Sequence, residues 1–232
     1  MVEYYNNDDL KRIYDAEYFS VRYESQPKNW YVKAEFIKRV IAPKRVLDIG
    51  CAEGRLVEEL YKLGIDIYGI DGSSYALSQG NPVIKDKLFR VNQNSDKFPF
   101  KDEYFDGGSC LHTIEHIHII DHFVSELYRV MHRGSKAWIV TPDTEPEISN
   151  AFDVNLNRWK ERKKIFEKHG FKVRKQRQYG FLDLKGRLRP LKLFKLPEPL
   201  LTWTKYLIYW YLNEFKKKKV EGREASFVLI KP

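Results

Sequence analysis

Val46-Leu47-Asp48-Ile49-Gly50-Cys51-Ala52-Glu53-Gly54-Arg55-Leu56-Val57-Glu58-Glu59-Leu60 is the stretch that decides the fold. Val46, Leu47 and Ile49 form a short apolar run that stops at a glycine, as a buried strand does at the edge of a sheet. Arg55 to Leu63 has helical spacing, with Gly64 just beyond its end. Between strand and helix, Gly50 and Gly54 let the backbone turn sharply and approach a ligand closely, and the helix N-terminus faces that ligand. Such a turn is weak evidence by itself. A nucleotide site adds an acidic residue at the end of the second strand, about 20 residues on, to take ribose hydroxyls. Ile65–Asp71 reads as that strand, and Asp71 lies 71 − 48 = 23 residues after Asp48.

The pattern continues outward in both directions. Downstream, Ser74–Gln79 starts a short helix, Lys87–Val91 is a third strand, and Tyr104–Leu111 holds a fourth. Asp121–Met131 is a helix with Leu127, Val130 and Met131 at helical spacing, and Lys136–Thr141 is a fifth strand. A helix near Leu156–His169 ends at Gly170. Phe171–Val173 and Ala225–Ile230 supply two more strands. Alternating strands and helices require right-handed crossovers and a mainly parallel sheet, which makes the chain α/β. Upstream, Leu10–Tyr18 reads as a helix capped by Asp8 or Asp9, and Tyr31–Ile41 as one ended by Pro43.

With these residues in hand, the chain resembles the S-adenosylmethionine-dependent methyltransferases with a seven-stranded Rossmann-like fold. Val46–Gly54 is similar to their first motif, with Ala52 where the family typically has glycine. Asn94-Ser95-Asp96-Lys97-Phe98-Pro99-Phe100 and Phe105-Asp106 resemble the segment before the fourth strand, where the family often has an acid at the Asn94 position. His112–Ile117 resembles the loop after that strand in the small-molecule branch. Glu126–Met131 with Gly134 resembles the helix and turn before the fifth. The resemblance covers about residues 45–175 and the last strand. An NAD site fits less well, because Gly50, Ala52 and Gly54 give G-x-A-x-G instead of GxGxxG.

The resemblance implies a three-layer Rossmann-like fold that binds S-adenosylmethionine and yields S-adenosylhomocysteine. Gly50, Cys51 and Ala52 would pass close to the methionine part, while Asp48 would orient the loop or accept from the methionine ammonium. Asp71 would take the ribose hydroxyls. Asn94 would accept from the adenine amino group through its side-chain carbonyl. Gly54, Gly72, Ser95 and Leu111 complete the expected cofactor-binding set.

Four histidines, His112, His116, His118 and His122, cluster after the fourth strand. His112-Thr113-Ile114-Glu115-His116 also matches the HxxEH zinc motif. That reading needs both histidines on one helical face, whereas this segment leaves a strand as a loop, so no metal is expected. His112 or His116 is the candidate general base for a hydroxyl or amine acceptor, since a near-neutral pKa suits proton removal. A role in merely shaping the loop is the alternative. Neither Cys51 nor Cys110 looks nucleophilic. There is no Pro-Cys context and no (Asp/Asn)-Pro-Pro-aromatic motif, which disfavours cytosine C5 and exocyclic-amine methylation of nucleic acid.

Composition narrows the setting. The chain has 232 residues, 31% charged, with a net charge of +9. That permits anionic partners, RNA included, without choosing among them. Two cysteines argue against a disulfide scaffold and suit a reducing cytosol. No signal peptide or apolar run long enough to span a bilayer is visible. One domain is expected: 1–44 as an N-terminal lid with Tyr14, Tyr18, Phe19 and Tyr23, 45–180 and 225–232 as the core, and 181–224 as a substrate-side insertion. Within the insertion, 199–219 mixes Trp203, Tyr206, Tyr209, Trp210 and Tyr211 with leucines and ends in four lysines. It reads as a cap helix on the sheet, a wall for an apolar or glycan-lipid acceptor, or a helix resting on a membrane. The expected function is a cytoplasmic methyltransferase, in reach of the membrane surface, acting on oxygen or nitrogen of a small molecule or glycan/lipid precursor. RNA methylation and a non-catalytic S-adenosylmethionine-binding regulatory role are the alternatives.

Overall fold

The computed structural model describes residues 6–19, 30–142, 159–176 and 224–232. Seven strands form one sheet: β1 Arg45–Ile49, β2 Asp66–Asp71, β3 Leu88–Arg90, β4 Phe105–Leu111, β5 Met131–Pro142, β6 Lys172–Gln176 and β7 Glu224–Ile230. Their order is β3-β2-β1-β4-β5-β7-β6. Neighbours from β3 to β5 pair in parallel. β7 runs antiparallel between β5 and β6. The expected mainly parallel, seven-stranded α/β sheet is therefore what the chain builds.

Strand side chains alternate between two cores, which is why helices cover both faces. Leu47, Ile49, Ile70, Ala137, Ile139, Phe227 and Leu229 join one cluster with α5 (Ile120–Val130) and Phe166 of α6 (Trp159–Lys168). Val46, Ile67, Trp138, Val140 and Val228 join the other with α2 (Trp30–Phe36) and α3 (Arg55–Lys62). A short α4 (Ser74–Ser78) follows β2, with Ser73 Oγ accepting from Ala76 N–H.

Three boundaries differ from expectation. The N-terminal helix α1 is Asn7–Ile13, capped by Asn6 in a reciprocal box with Asp9. A break at Tyr14 and Asp15 precedes a second helical turn at 16–19, where Asp15 accepts from Tyr18 N–H at 3.1 Å. The helix after it widens into a π turn over Ile37–Ile41 and ends at left-handed Ala42, just before Pro43. β5 begins at Met131, five residues early, and its pairing with β4 shifts register between Phe105 and Gly107. Among the described residues, no helix is long and apolar enough to cross a membrane. Tyr23 and the 199–219 segment lie outside the described residues.

Candidate functional site

β1, β2 and β4 end side by side, and their carboxyl ends floor a cleft of about 960 Å³ counting its open mouth. Asp48, Gly50, Cys51, Ala52, Asp71, Gly72, Asn94, Leu111, His112 and His116 all line it. The structure thus brings together ten of the residues singled out from the sequence.

The loop after β1 is built from left-handed backbone: φ is +73° at Gly50, +50° at Ala52 and +79° at Gly54. Gly50 is held by the next loop as well. A Cβ there would lie 2.0 Å from Thr113 Oγ1, so only glycine fits beneath β4's exit. Ala52 occupies a conformation glycine would adopt without strain, at a cost of about 1–2 kcal/mol. Asp71 fastens this loop to β2. Its Oδ2 accepts Ala52 N–H at 2.9 Å, and its Oδ1 accepts Ser73 N–H at 2.8 Å. A carboxylate has roughly four acceptor positions, so ribose hydroxyls can share it.

Asp48 is buried at the cleft floor and accepts from Ser109 Oγ at 2.7 Å. Burial pushes its carboxyl up to about 7, against the lowering effects of the Ser109 hydrogen bond and Lys33. A ligand cation there would draw it back toward the ionised form. Lys33, over the Trp30 ring at 4.1 Å, places a positive charge within reach of the same floor. The ammonium of a methionine moiety suits the Asp48 carboxylate on the cleft floor. The donor set therefore fits S-adenosylmethionine.

Two expected cofactor residues lie elsewhere. Gly54 is not on the cleft: it starts α3, and a Cβ would meet Ile84 Cδ1 at 2.7 Å, so its role is packing under the turn. Ser95 is exposed and donates to Asp96. Asn94 lines the cleft, but its Oδ1 accepts the backbone N–H groups of His118 at 2.8 Å and Ile119 at 3.1 Å. The amide oxygen is thus engaged in holding the β4 loop and is not the open acceptor expected for adenine. Gln93 stands beside it on the cleft.

His112 ends β4 in left-handed backbone at φ +55°, with its N–H on Val140 O at 2.8 Å. Only Ile114–His116 forms a helical turn, so HxxEH does not present two histidines on one α-helical face as zinc motifs do. Tyr14 meets the His116 ring edge-on at 6.2 Å. Tyr14 is tied to the core, since Ser73 Oγ donates to its carbonyl at 2.7 Å. Tyr18, Phe19 and Trp30 add further aromatic wall. Burial holds both thiols, Cys51 and Cys110, well above their usual pKa, which keeps them protonated and poor nucleophiles.

The sequence did not point to Ser109, Lys33 or Gln93. A polar residue inside an apolar strand, as at Ser109, was the signal available for one of them. The others are placed by contacts distant along the chain.

A sheet of this order, with a ligand cleft over its carboxyl edge and an acidic residue ending β2, is Rossmann-like, a fold whose ligands bind at the carboxyl ends of the strands. Residues 47–139 match the family described as "Methyltransferase domain". The mitochondrial ubiquinone biosynthesis O-methyltransferase of Rattus norvegicus is 28% identical over 104 residues, 42% of this chain and 30% of that protein. An uncharacterized protein of Methanocaldococcus jannaschii is 26% identical over 192 residues, 80% of this chain and 76% of that one. The chain spans between 29% and 48% of the length of the first curated relatives it matches. Among solved structures, a chain of the complex between the Haloferax volcanii Trm112 methyltransferase activator and a methyltransferase superposes with TM-score 0.64 at 15% identity. It covers 97% of this chain and 98% of that one.

Proposed function

We propose that the protein transfers the methyl group of S-adenosylmethionine to a hydroxyl oxygen of a small, ring-bearing or apolar acceptor, with a nitrogen acceptor as the variant. The observation that carries the reading is the juxtaposition in one cleft of the Gly50–Ala52 and Asp71 cofactor wall with His112 and His116. The bound cofactor supplies an electrophilic methyl on a sulfonium, which needs no metal.

The chain's own residues do the rest. Asp71 would hold the ribose of the cofactor and Asp48 its methionine ammonium. The Tyr14, Tyr18, Phe19 and Trp30 walls exclude water and favour a flat or apolar acceptor. His112 takes the acceptor's proton as the oxygen attacks in line. An O-methyltransferase of ubiquinone biosynthesis among the relatives supports oxygen as the methylated atom. We assign the protein to the cytoplasm, on its two unbridged buried thiols.

Transfer of labelled methyl into an extract, partitioned into lipid, small-molecule, RNA and protein fractions, tests this. Label in the lipid or small-molecule fraction supports it. The net charge of +9 favours RNA as the second reading, which label in RNA would promote. Cofactor binding without transfer would leave a regulatory role.

A further inference from the structure

We propose that Glu115 is a positioning residue for methyl transfer. On this view its buried carboxylate holds the Nδ1 side of the His112 imidazole so that Nε2 faces the acceptor. This rests on the reading of His112 as the base.

Glu115 is 2% exposed, in the turn that follows β4. Its neighbours Ile114 and Ile117 are buried in the adjoining apolar core. A carboxylate in such a place costs several kcal/mol unless it is well partnered. Its two oxygens have different partners. Oε2 accepts from Thr141 Oγ1 at 3.1 Å, which fixes the carboxylate plane against β5. Oε1 lies 3.8 Å from His112 Nδ1. That is ion-pair range, too long for a hydrogen bond. Catalytic hydrogen bonds in ligand-free sites are often this long and tighten in the reacting complex. The His112 backbone is anchored, because its N–H donates to Val140 O of β5 at 2.8 Å and its φ is +55°. The two imidazole nitrogens point to opposite sides of the ring, so an Nδ1 turned to buried Glu115 leaves Nε2 toward the cleft that His112 lines.

The proton path balances. The acceptor O–H proton moves to Nε2, the oxygen–methyl bond forms, and the electron pair of the broken carbon–sulfur bond stays on sulfur. The positive charge passes from sulfur to the imidazolium, where Glu115 neutralises it until the proton leaves to water. Other charged or titratable groups face this pair. They are Cys110 on β4, whose thiol feels the Glu115 charge, and His116 on the same loop, which lines the cleft with His112. On the β5 side, Arg162 of α6 donates to Pro142 O next to Thr141.

The test is a histidine-resolved NMR pH titration of the whole chain beside a pH–rate profile, for wild type, Glu115→Gln and Thr141→Val. The titration needs no acceptor, so it stands even if the proposed reaction fails. In Glu115→Gln the His112 midpoint is expected to fall by about half a pH unit or more, since the carboxylate favours the imidazolium. The acid limb of kcat should move down with it, and kcat should fall roughly 10²-fold with cofactor Kd within about twofold. Thr141→Val should give the same changes at smaller size, and serves if Glu115→Gln does not fold. An unmoved His112 midpoint in a folded variant overturns the pairing. A moved midpoint with kcat unchanged overturns the positioning role.

Discussion

The loops after β1 and after β4 leave adjacent parallel strands and face the same cleft, yet they are made differently. The first is a backbone device: Gly50, Ala52 and Gly54 turn in left-handed conformations, and Asp71 clasps it through a main-chain N–H. The second is a side-chain device. It reverses at His112 and is held by Val140 and Thr141 of β5 and by Asn94, from two separate parts of the chain. A site made of backbone must be written locally, in glycines and their spacing. A site made of side chains is assembled by the fold, and its parts are scattered in the sequence.

If the β4 loop does the chemistry and the β1 loop the binding, substitutions should separate the two. His112→Ala is expected to lower kcat by about 10²–10⁴-fold while cofactor Kd changes less than about twofold, read by single-turnover methylation and calorimetry. A large loss of cofactor affinity instead would erase the division of labour. Gly50→Ala strikes where the loops touch. Its Cβ would collide with Thr113, and a cost of about 3 kcal/mol should lower Tm by roughly 6–12 °C in thermal unfolding.

Asp71→Ala should weaken cofactor binding about 10- to 100-fold. It should also loosen the Ala52 loop, visible as faster amide exchange there.

Asp48 sharpens the comparison through pH. Its folded-state pKa of about 7 lies above the ordinary 3.8. Between those values the folded protein keeps a proton the unfolded chain has lost. The stability from this group is therefore present at low pH and lost as pH rises through about 7. Cofactor binding should show the opposite trend, since an ammonium favours the carboxylate. Affinity should rise up to about 10-fold from pH 6 to 8, and an equal Kd at both would remove Asp48 from the ammonium site. The smallest effect is Ala52→Gly, expected to raise Tm by roughly 2–4 °C by relieving about 1 kcal/mol of left-handed strain.

Legibility in the sequence followed the same division. The strand–turn–helix at 46–60, the acid at Asp71 and the seven strands could all be read, because apolar runs and glycines are local signals. β5 starts earlier than its apolar run because Met131 pairs with Phe105, while His132–Ser135 lie across the register shift with Gly134 in left-handed backbone at φ +80°. Asn94 was assigned to the ligand and serves the β4 loop, because the demand for its oxygen comes from His118 and Ile119, two dozen residues away. Glu115 gave no signal beyond its place in HxxEH, since its burial is a property of the packed sheet.

The sheet's one reversal also bears on how such a protein can change. β6 ends at Gln176 and β7 starts at Glu224 on the sheet edge that carries the cleft, beside Pro142. Neighbouring antiparallel strands need only a tight turn, yet here 47 residues, 177–223, lie between them. Even with no order of its own, a connection of that length costs only about 2 kcal/mol more in closure entropy than a four-residue turn. The price of novelty at that edge is therefore small: evolution can lengthen, shorten or replace it while every strand pairing beneath stays intact.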